Sequence, residues 1–289
     1  MSEKKTISPL IPAHELLELY SSEYLILIDA GTGNNAQTNY QKKHLDGALF
    51  VDVNTQLADI KDDFSNGGRH PLPSTKQFSE TLSSLGISPQ SHVVIYDNKN
   101  GANAAARFWW MLKAVGHEKV QVLNGGMEEA VKFNFPTSSK IEKVKKVETY
   151  KTSSWQLPRA TMDEVEKVSQ KDNYCIIDVR EEVRYQGISE PIDLIAGHIP
   201  GAINIPFSRN LNNDGLFLAE KELFQIYSKI IDRVSSKRTI VYCGSGVTAC
   251  HTLLAIAYAG FEIPKLYVGS WSEWSRNNKT IEVKVNPSI

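Results

Sequence analysis

Residues 239–259 read TIVYCGSGVTACHTLLAIAYA. The opening run is β-branched and aromatic, the middle is dominated by small and hydroxylated residues, and the remainder carries apolar side chains at helical spacing. That succession predicts a strand over Thr239–Cys243, a tight loop, and a helix over Val247–Ala259. Ligands of open α/β sheets bind at the C-terminal edges of strands, so Cys243 stands where chemistry is expected.

The same succession occurs earlier in the chain. The first copy reads YLILIDA over Tyr24–Ala30, HLDGAL over His44–Leu49, VVIYD over Val93–Asp97 and VQVLNGG over Val120–Gly126. The second reads YCIIDVR over Tyr174–Arg180, HIPGAI over His198–Ile203, TIVYC over Thr239–Cys243 and KLYVGSW over Lys265–Trp271. The spacing between equivalent residues drifts, as loop insertions produce, and the period is too long for a solenoid array. Helical stretches over Ala104–Val115 and Val247–Ala259 alternate with the short apolar runs. The fold class is therefore α/β, with a parallel sheet wrapped by helices, twice. Short helices over Ala13–Tyr20 and Met162–Ser169 are expected to open the copies, the second with Thr161 as N-cap and Glu164 in a capping box. The domains are expected at 6–136 and 159–289. Residues 137–158, with the charged run KIEKVKKVE, form a surface connector.

At roughly 150 residues per domain, the 289 residues make two domains. With 41% apolar residues each can bury a core, which excludes a disordered chain. The 32 Lys and Arg against 33 Asp and Glu leave a net charge of -1. No basic field exists to hold a polyanion, so neither nucleic acid nor a membrane is an expected partner. The longest apolar stretch, Leu253–Phe261, is far shorter than the roughly 18 residues of a spanning helix. The opening MSEKK, followed by Pro9 and Pro12, lacks the apolar core of a secretory signal, and the cytoplasm is the expected compartment. Three cysteines, Cys175, Cys243 and Cys250, are too few and odd in number for a disulfide framework. Without coiled-coil heptads, a monomer is expected.

The copies differ at the residue ending the strong apolar run, Asp97 in the first and Cys243 in the second. Gly244 and Gly246 permit positive φ, so that loop N–H groups can turn inward as a nest for an anion. These donors and the helix N-terminus favour a thiolate at Cys243, and Ser245 and Thr248 add hydroxyl donors. Cys175, inside Tyr-Cys-Ile-Ile, and Cys250, on the helix after the loop, are read as packing. A phosphatase loop would carry an arginine where Ala249 stands. A structural zinc site would need the short pairing that Cys243, Cys250 and His251 lack. What remains is sulfur chemistry: thiolate attack on a donor, a persulfide on Cys243, and transfer to an acceptor. No metal and no cofactor is expected.

With this loop in view, the chain resembles the tandem-domain rhodanese family of sulfurtransferases, and CGSGVTA is similar to the 3-mercaptopyruvate sulfurtransferase version of its loop. The resemblance extends to VDV at Val51–Val53, HPLP at His70–Pro73, RFWWMLKAVGH at Arg107–His117, GHIPGAINIPF at Gly197–Phe207 and GSWSEW at Gly269–Trp274. It implies two tandem rhodanese-like domains, the first catalytically silent and the second carrying the active cysteine. It also implies that Arg184 binds the anionic group of the substrate, the alternative being a surface pair with Glu181 or Glu182. A second family arginine is missing from the segment Glu190–Asp193. His70 and Ser245 match members of a proton relay whose acidic position falls on Asn54 or Asp52. The expected catalytic residues are Cys243, Ser245 and His70, and the expected substrate-binding residues are Arg184, Gly244, Gly246, Val247 and Thr248. The tryptophans of GSWSEW are read mainly as packing, and His44 and His198, at equivalent repeat positions before a turn, as structural.

The expected small-molecule donor is 3-mercaptopyruvate first and thiosulfate second, because Gly244 and Ser245 are neutral and a keto acid brings one charge for Arg184 to meet. The acceptor is expected to be a thiol, such as thioredoxin or a small thiol, or cyanide. Two function classes stay open: a turning-over sulfurtransferase, and a persulfide carrier or redox-sensing module without turnover.

Overall fold

The computed structural model describes residues 7–283. Residues 1–6 and 284–289, and with them the opening MSEKK and the outer limits of both expected domains, lie outside the described residues.

The first copy runs β1 (Leu10–Ile11), α1 (Ala13–Leu19), β2 (Leu25–Asp29), α2 (Ala36–Lys42), β3 (His44–Leu45), β4 (Leu49–Phe50), α3 (Thr75–Ser84), β5 (His92–Tyr96), α4 (Ala104–Ala114), β6 (Val120–Leu123), α5 (Gly126–Lys132) and β7 (Thr137–Ser138). The second runs β8 (Arg159–Ala160), α6 (Met162–Val168), β9 (Cys175–Asp178), α7 (Glu182–Tyr185), β10 (Ile203–Asn204), α8 (Glu220–Val234), β11 (Thr239–Tyr242), α9 (Ala249–Tyr258), β12 (Lys265–Tyr267) and α10 (Ser270–Trp274), with short 3₁₀ turns before α8 and β11.

The duplication is carried by sheet topology. The first copy orders its strands β1-β6-β5-β2-β4 and the second β8-β12-β11-β9-β10, the same order element for element. Every pair within the two five-stranded sheets is parallel. The central strands β9 (CIID) and β11 (TIVY) are buried along their whole length, which is why they read as continuous apolar runs without alternation. Register aligns the copies to the residue: Asp29 lies opposite Tyr96, as Asp178 lies opposite Tyr242.

The chain divides into two units that are not contiguous in sequence. The first comprises the described residues through Asp59, Pro73–Leu157 and Asn213–Phe217; the second comprises Ile60–Leu72, Pro158–Asn212 and the described residues from Leu218. Residues 60–72 thus fold with the second copy although they precede it by almost a hundred positions. The stretch 137–157 folds with the first unit: Thr137–Ser138 pairs antiparallel with β3, and the Trp155 ring packs 5.2 Å from Phe78. Its charged middle, 140–148, is largely exposed, as its composition requires.

The core of the first unit gathers Leu16, Leu27, Val94, Tyr96 and Phe135, and that of the second Val165, Ile176, Ile240, Tyr242, Trp271 and Trp274. His44 and His198 are buried equivalents, stacked on Tyr40 and Tyr185, with each Nδ1 2.7 Å from the carbonyl of that tyrosine. Both hold the chain ahead of a turn. Thr161 caps α6 by accepting the Glu164 N–H at 3.2 Å. No helix among the described residues is long and apolar enough to cross a membrane.

Candidate active site

β11 delivers Cys243 to the sheet edge, where the chain leaves the strand and turns into α9 through 244–248. The turn is anchored on both sides. The Cys243 N–H donates to Ser270 Oγ at 3.1 Å, while the Cys243 and Gly244 carbonyls accept from the Trp271 and Ser272 N–H groups at 3.0 and 2.8 Å. Gly246 takes φ +74°, and a Cβ there would lie 2.3 Å from the Val268 carbonyl oxygen, so only glycine fits. Cys243 and Ser245 are buried.

Two guanidinium groups converge on this loop. A methyl group on Gly244 would sit 3.0 Å from Arg69 Nη2 and 3.5 Å from Arg184 Nη2. Both arginines are held from behind by buried carboxylates. Asp193 accepts from Arg69 Nε at 3.1 Å, Arg184 Nη2 at 3.3 Å and Arg276 Nη1 at 3.2 Å, and Glu190 accepts from Arg184 Nη2 at 2.7 Å and Arg180 Nη1 at 3.1 Å. Burial alone would push the Glu190 carboxyl up; the Arg184 hydrogen bond and the Asp193 and Ile192 N–H groups outweigh it and hold it below its usual range.

His70 reaches the same loop from the segment 60–72, with Nδ1 2.8 Å from Ser245 Oγ. Gly68 makes this approach possible: it takes φ +76°, and a Cβ would lie 2.3 Å from the Gly269 carbonyl. On either side of it, Gly67 N–H donates to Glu273 Oε1 at 2.8 Å and Arg69 N–H to Ser272 Oγ at 3.0 Å.

A family model described as the rhodanese-like domain matches residues 12–132 and again 161–277. The chain belongs to the rhodanese family. It is 37% identical over 239 residues to a probable 3-mercaptopyruvate sulfurtransferase of Pseudomonas aeruginosa, covering 81% of this chain and 82% of the relative. It is 35% identical over 244 residues to the thiosulfate sulfurtransferase of Cricetulus griseus, covering 83% and 80%. The crystal structure of the 3-mercaptopyruvate sulfotransferase SseA from Escherichia coli superposes with a TM-score of 0.74 at 30% identity, covering 92% of this chain and all of that one. The protein is a rhodanese-type sulfurtransferase, with two rhodanese-like domains in tandem.

Within this rhodanese fold Cys243, Ser245, His70, Arg184, Gly244, Gly246, Val247 and Thr248 all fall in the second unit. Two details differ from the sequence reading. Gly244 does not take positive φ; its lack of a side chain instead leaves room for the two guanidinium groups. Arg184 is not a surface residue paired with Glu181 or Glu182: it is buried and bonded to Glu190 and Asp193. Asp52, considered for the relay, uses Oδ1 to accept from the Asn54 and Thr55 N–H groups at 2.9 Å.

Arg69 is the residue that sequence reasoning missed. It immediately precedes the HPLP motif, and nothing local announces that this stretch folds with the second copy. Cys250 is buried, with Sγ 3.5 Å from the Gly246 carbonyl, and Cys175 is buried in β9, where desolvation pushes its thiol up to about 11. Trp271 and Trp274 are core residues whose indole N–H groups donate to the Ile195 and Thr280 carbonyls. Among the described residues, no group of His, Cys, Asp and Glu is arranged to hold a metal ion.

Proposed function

We propose that Cys243 carries sulfur from 3-mercaptopyruvate to a thiol as a persulfide, with thiosulfate as the second donor. The Cys243 thiolate attacks the donor sulfur; an S–S bond forms, the donor C–S bond breaks, and its electron pair leaves as the enolate of pyruvate, which takes up a proton. An acceptor thiolate then attacks the outer sulfur, forms the new S–S bond and releases the Cys243 thiolate. Arg184 and Arg69 bind the donor carboxylate, and the 244–248 loop surrounds the persulfide. Ser245 and His70 together relay the proton.

The observation that carries this reading is the guanidinium pair beside Gly244, next in sequence to Cys243. A planar fork suits a carboxylate. The duplicate loop supports the anion-holding role: there the Asp97 carboxylate accepts N–H groups from Lys99, Gly101, Asn103 and Ala105 at 2.8–3.1 Å. An anion at the strand end is therefore what this loop architecture accommodates, and a persulfide at Cys243 is the counterpart. The proposed acceptor is thioredoxin or a small thiol, with no nucleic acid or membrane partner and a monomeric enzyme. Three cysteines in 289 residues, none in a disulfide, support the cytoplasm as its compartment.

The test is multiple-turnover sulfur release from each donor with a thiol acceptor, wild type beside Cys243→Ser. Turnover higher with 3-mercaptopyruvate and lost in a folded Cys243→Ser supports the assignment. A wild type that takes up one sulfur on Cys243 and never turns over overturns it in favour of a carrier.

A further inference from the structure

The second unit contains a buried guanidinium socket. Arg180 donates from Nε to both oxygens of Asp178 at 3.1 Å, and from Nη2 to Asp178 Oδ2 and the Gly197 carbonyl at 2.6 Å. Its guanidinium carbon lies 4.5 Å from the centre of the Trp271 ring and 5.9 Å from that of Tyr242.

The first unit has the same socket without the arginine. Asp29 is in register with Tyr96 as Asp178 is with Tyr242, and the two tyrosine hydroxyls accept equivalent N–H groups, from Leu45 at 3.1 Å and Ile199 at 3.2 Å. At the position of Arg180 stands Gly31, whose N–H bonds Asp29 Oδ1 at 2.9 Å, as the Arg180 N–H bonds Asp178 Oδ1 at 2.9 Å. Where the guanidinium would lie there is a cavity of about 540 Å³, whose lining includes Asp29, Gly31, Tyr40, Lys43, Tyr96 and Met127. These are the counterparts of Asp178, Arg180, Tyr185, Gly197, Tyr242 and Trp271.

We propose that this cavity is a binding site for a small guanidinium cation, seated on Asp29 as Arg180 is seated on Asp178. Asp29 is 9% exposed, and the Gly31 N–H and the Tyr96 hydroxyl leave part of its acceptor capacity unused. Burial, against the hydrogen bonds from Tyr96 and the Gly31 N–H, pushes its carboxyl up to about 6. The cavity also includes Asp97 and Glu128 against Lys42 and Lys43, so its charges favour a single added positive charge. A guanidinium is preferred over an ammonium because it meets a carboxylate with two parallel N–H groups, stacks on ring faces, and is more easily stripped of water.

The experiment is a calorimetric and NMR titration of the whole protein with methylguanidinium, with methylammonium as the equal-charge control, repeated on Asp29→Asn and Gly31→Arg. Gly31 is not in the left-handed region, and a Cβ there meets Asp29 Oδ1 at 3.1 Å and otherwise only ordinary contacts, so the arginine of the duplicate can be restored in place. Saturable methylguanidinium binding is expected in the wild type, at least tenfold tighter than methylammonium, and weakened at least tenfold in both variants. Unsaturable binding, equal affinity for the two cations, or unchanged affinity in Asp29→Asn overturns the proposal. If Gly31→Arg does not fold, Asp29→Asn, which keeps the shape of the side chain, decides alone.

Discussion

His70 Nδ1 lies 2.8 Å from Ser245 Oγ, although 175 residues separate the two in sequence. This hydrogen bond joins a segment of the first half of the chain to the loop that follows Cys243, within one folded unit. If the pair moves a proton as a unit, Ser245→Ala and His70→Ala should each lower kcat by about 10- to 100-fold, and the double variant should be little worse than either single one. A double-mutant cycle on kcat with 3-mercaptopyruvate measures this; fully additive losses would mean that the two residues act separately.

Arg184 is bonded to Glu190 at 2.7 Å and faces Gly244, so it is both buried and beside the proposed carboxylate site. Arg184→Lys keeps the charge and loses the fork. It should raise KM for 3-mercaptopyruvate about tenfold or more, with a smaller change in kcat. Glu190, held below its ordinary range in the folded state, stabilises the fold fully above the unfolded value of 4.5, and that contribution is lost as pH falls through the lower folded value. Glu190→Gln should therefore be destabilised at neutral pH, with the deficit shrinking on acidification below pH 4.5. Urea denaturation across pH reports it, and a pH-independent deficit would count against the charge-based account.

Asp29 has the opposite sign. Burial, with the charge of Asp97 beside it, raises its carboxyl from 3.8 to about 6, against the hydrogen bonds from Tyr96 and Gly31 and the charge of His44. With Lys42, Lys43 and Glu128 also lining its cavity, these are the groups whose charges bear on it. Its contribution to stability is complete below pH 3.8 and is lost as pH rises through 6, a difference of about 3 kcal/mol. Asp29→Asn removes the ionisation, so the variant should be more stable than wild type at pH 7.5 and level with it near pH 4. Thermal melts at the two pH values check this.

These residues show where the sequence speaks and where it stops. The central strands and the helices α4 and α9 are legible because full burial writes itself as unbroken apolar runs and helical spacing. The strand–loop–helix around Cys243 is legible for the same reason: every element of it is local. The two-residue strands β1 and β8 carry no periodicity at all, yet they occupy matching edges of the two sheets. Helix α8 buries Leu223, Tyr227, Ile231 and Val234 on one stripe, and α3, in the same place in the first copy, buries Phe78 and Leu82; both patterns are present in the sequence but lie outside the strand runs that reveal the repeat. Arg69 is illegible for a deeper reason, since its place beside Gly244 is set by Gly68 and Ser272, a tertiary contact between segments about 200 residues apart. His70 is reached only through the family resemblance.

Asp97 tests the shared loop architecture from the first copy. Its carboxylate is buried at the end of β5 and accepts N–H groups from Lys99 and Gly101 on Oδ1 and from Asn103 and Ala105 on Oδ2. Desolvation raises the carboxyl above its ordinary value, and the four N–H groups of the closed loop oppose that rise. Asp97→Asn keeps one acceptor oxygen and turns an amide NH₂ toward N–H groups that can only donate. The expected cost is about 2–4 kcal/mol, because buried donors left without an acceptor lose their full hydration. Asp97→Ala should cost at least as much. Denaturant midpoints of the two variants, with hydrogen exchange at the 99–105 amides, supply the measurement. An Asp97→Asn protein as stable as wild type would mean that the loop holds its shape without an anion, and the analogy with a persulfide on Cys243 would lose its structural support.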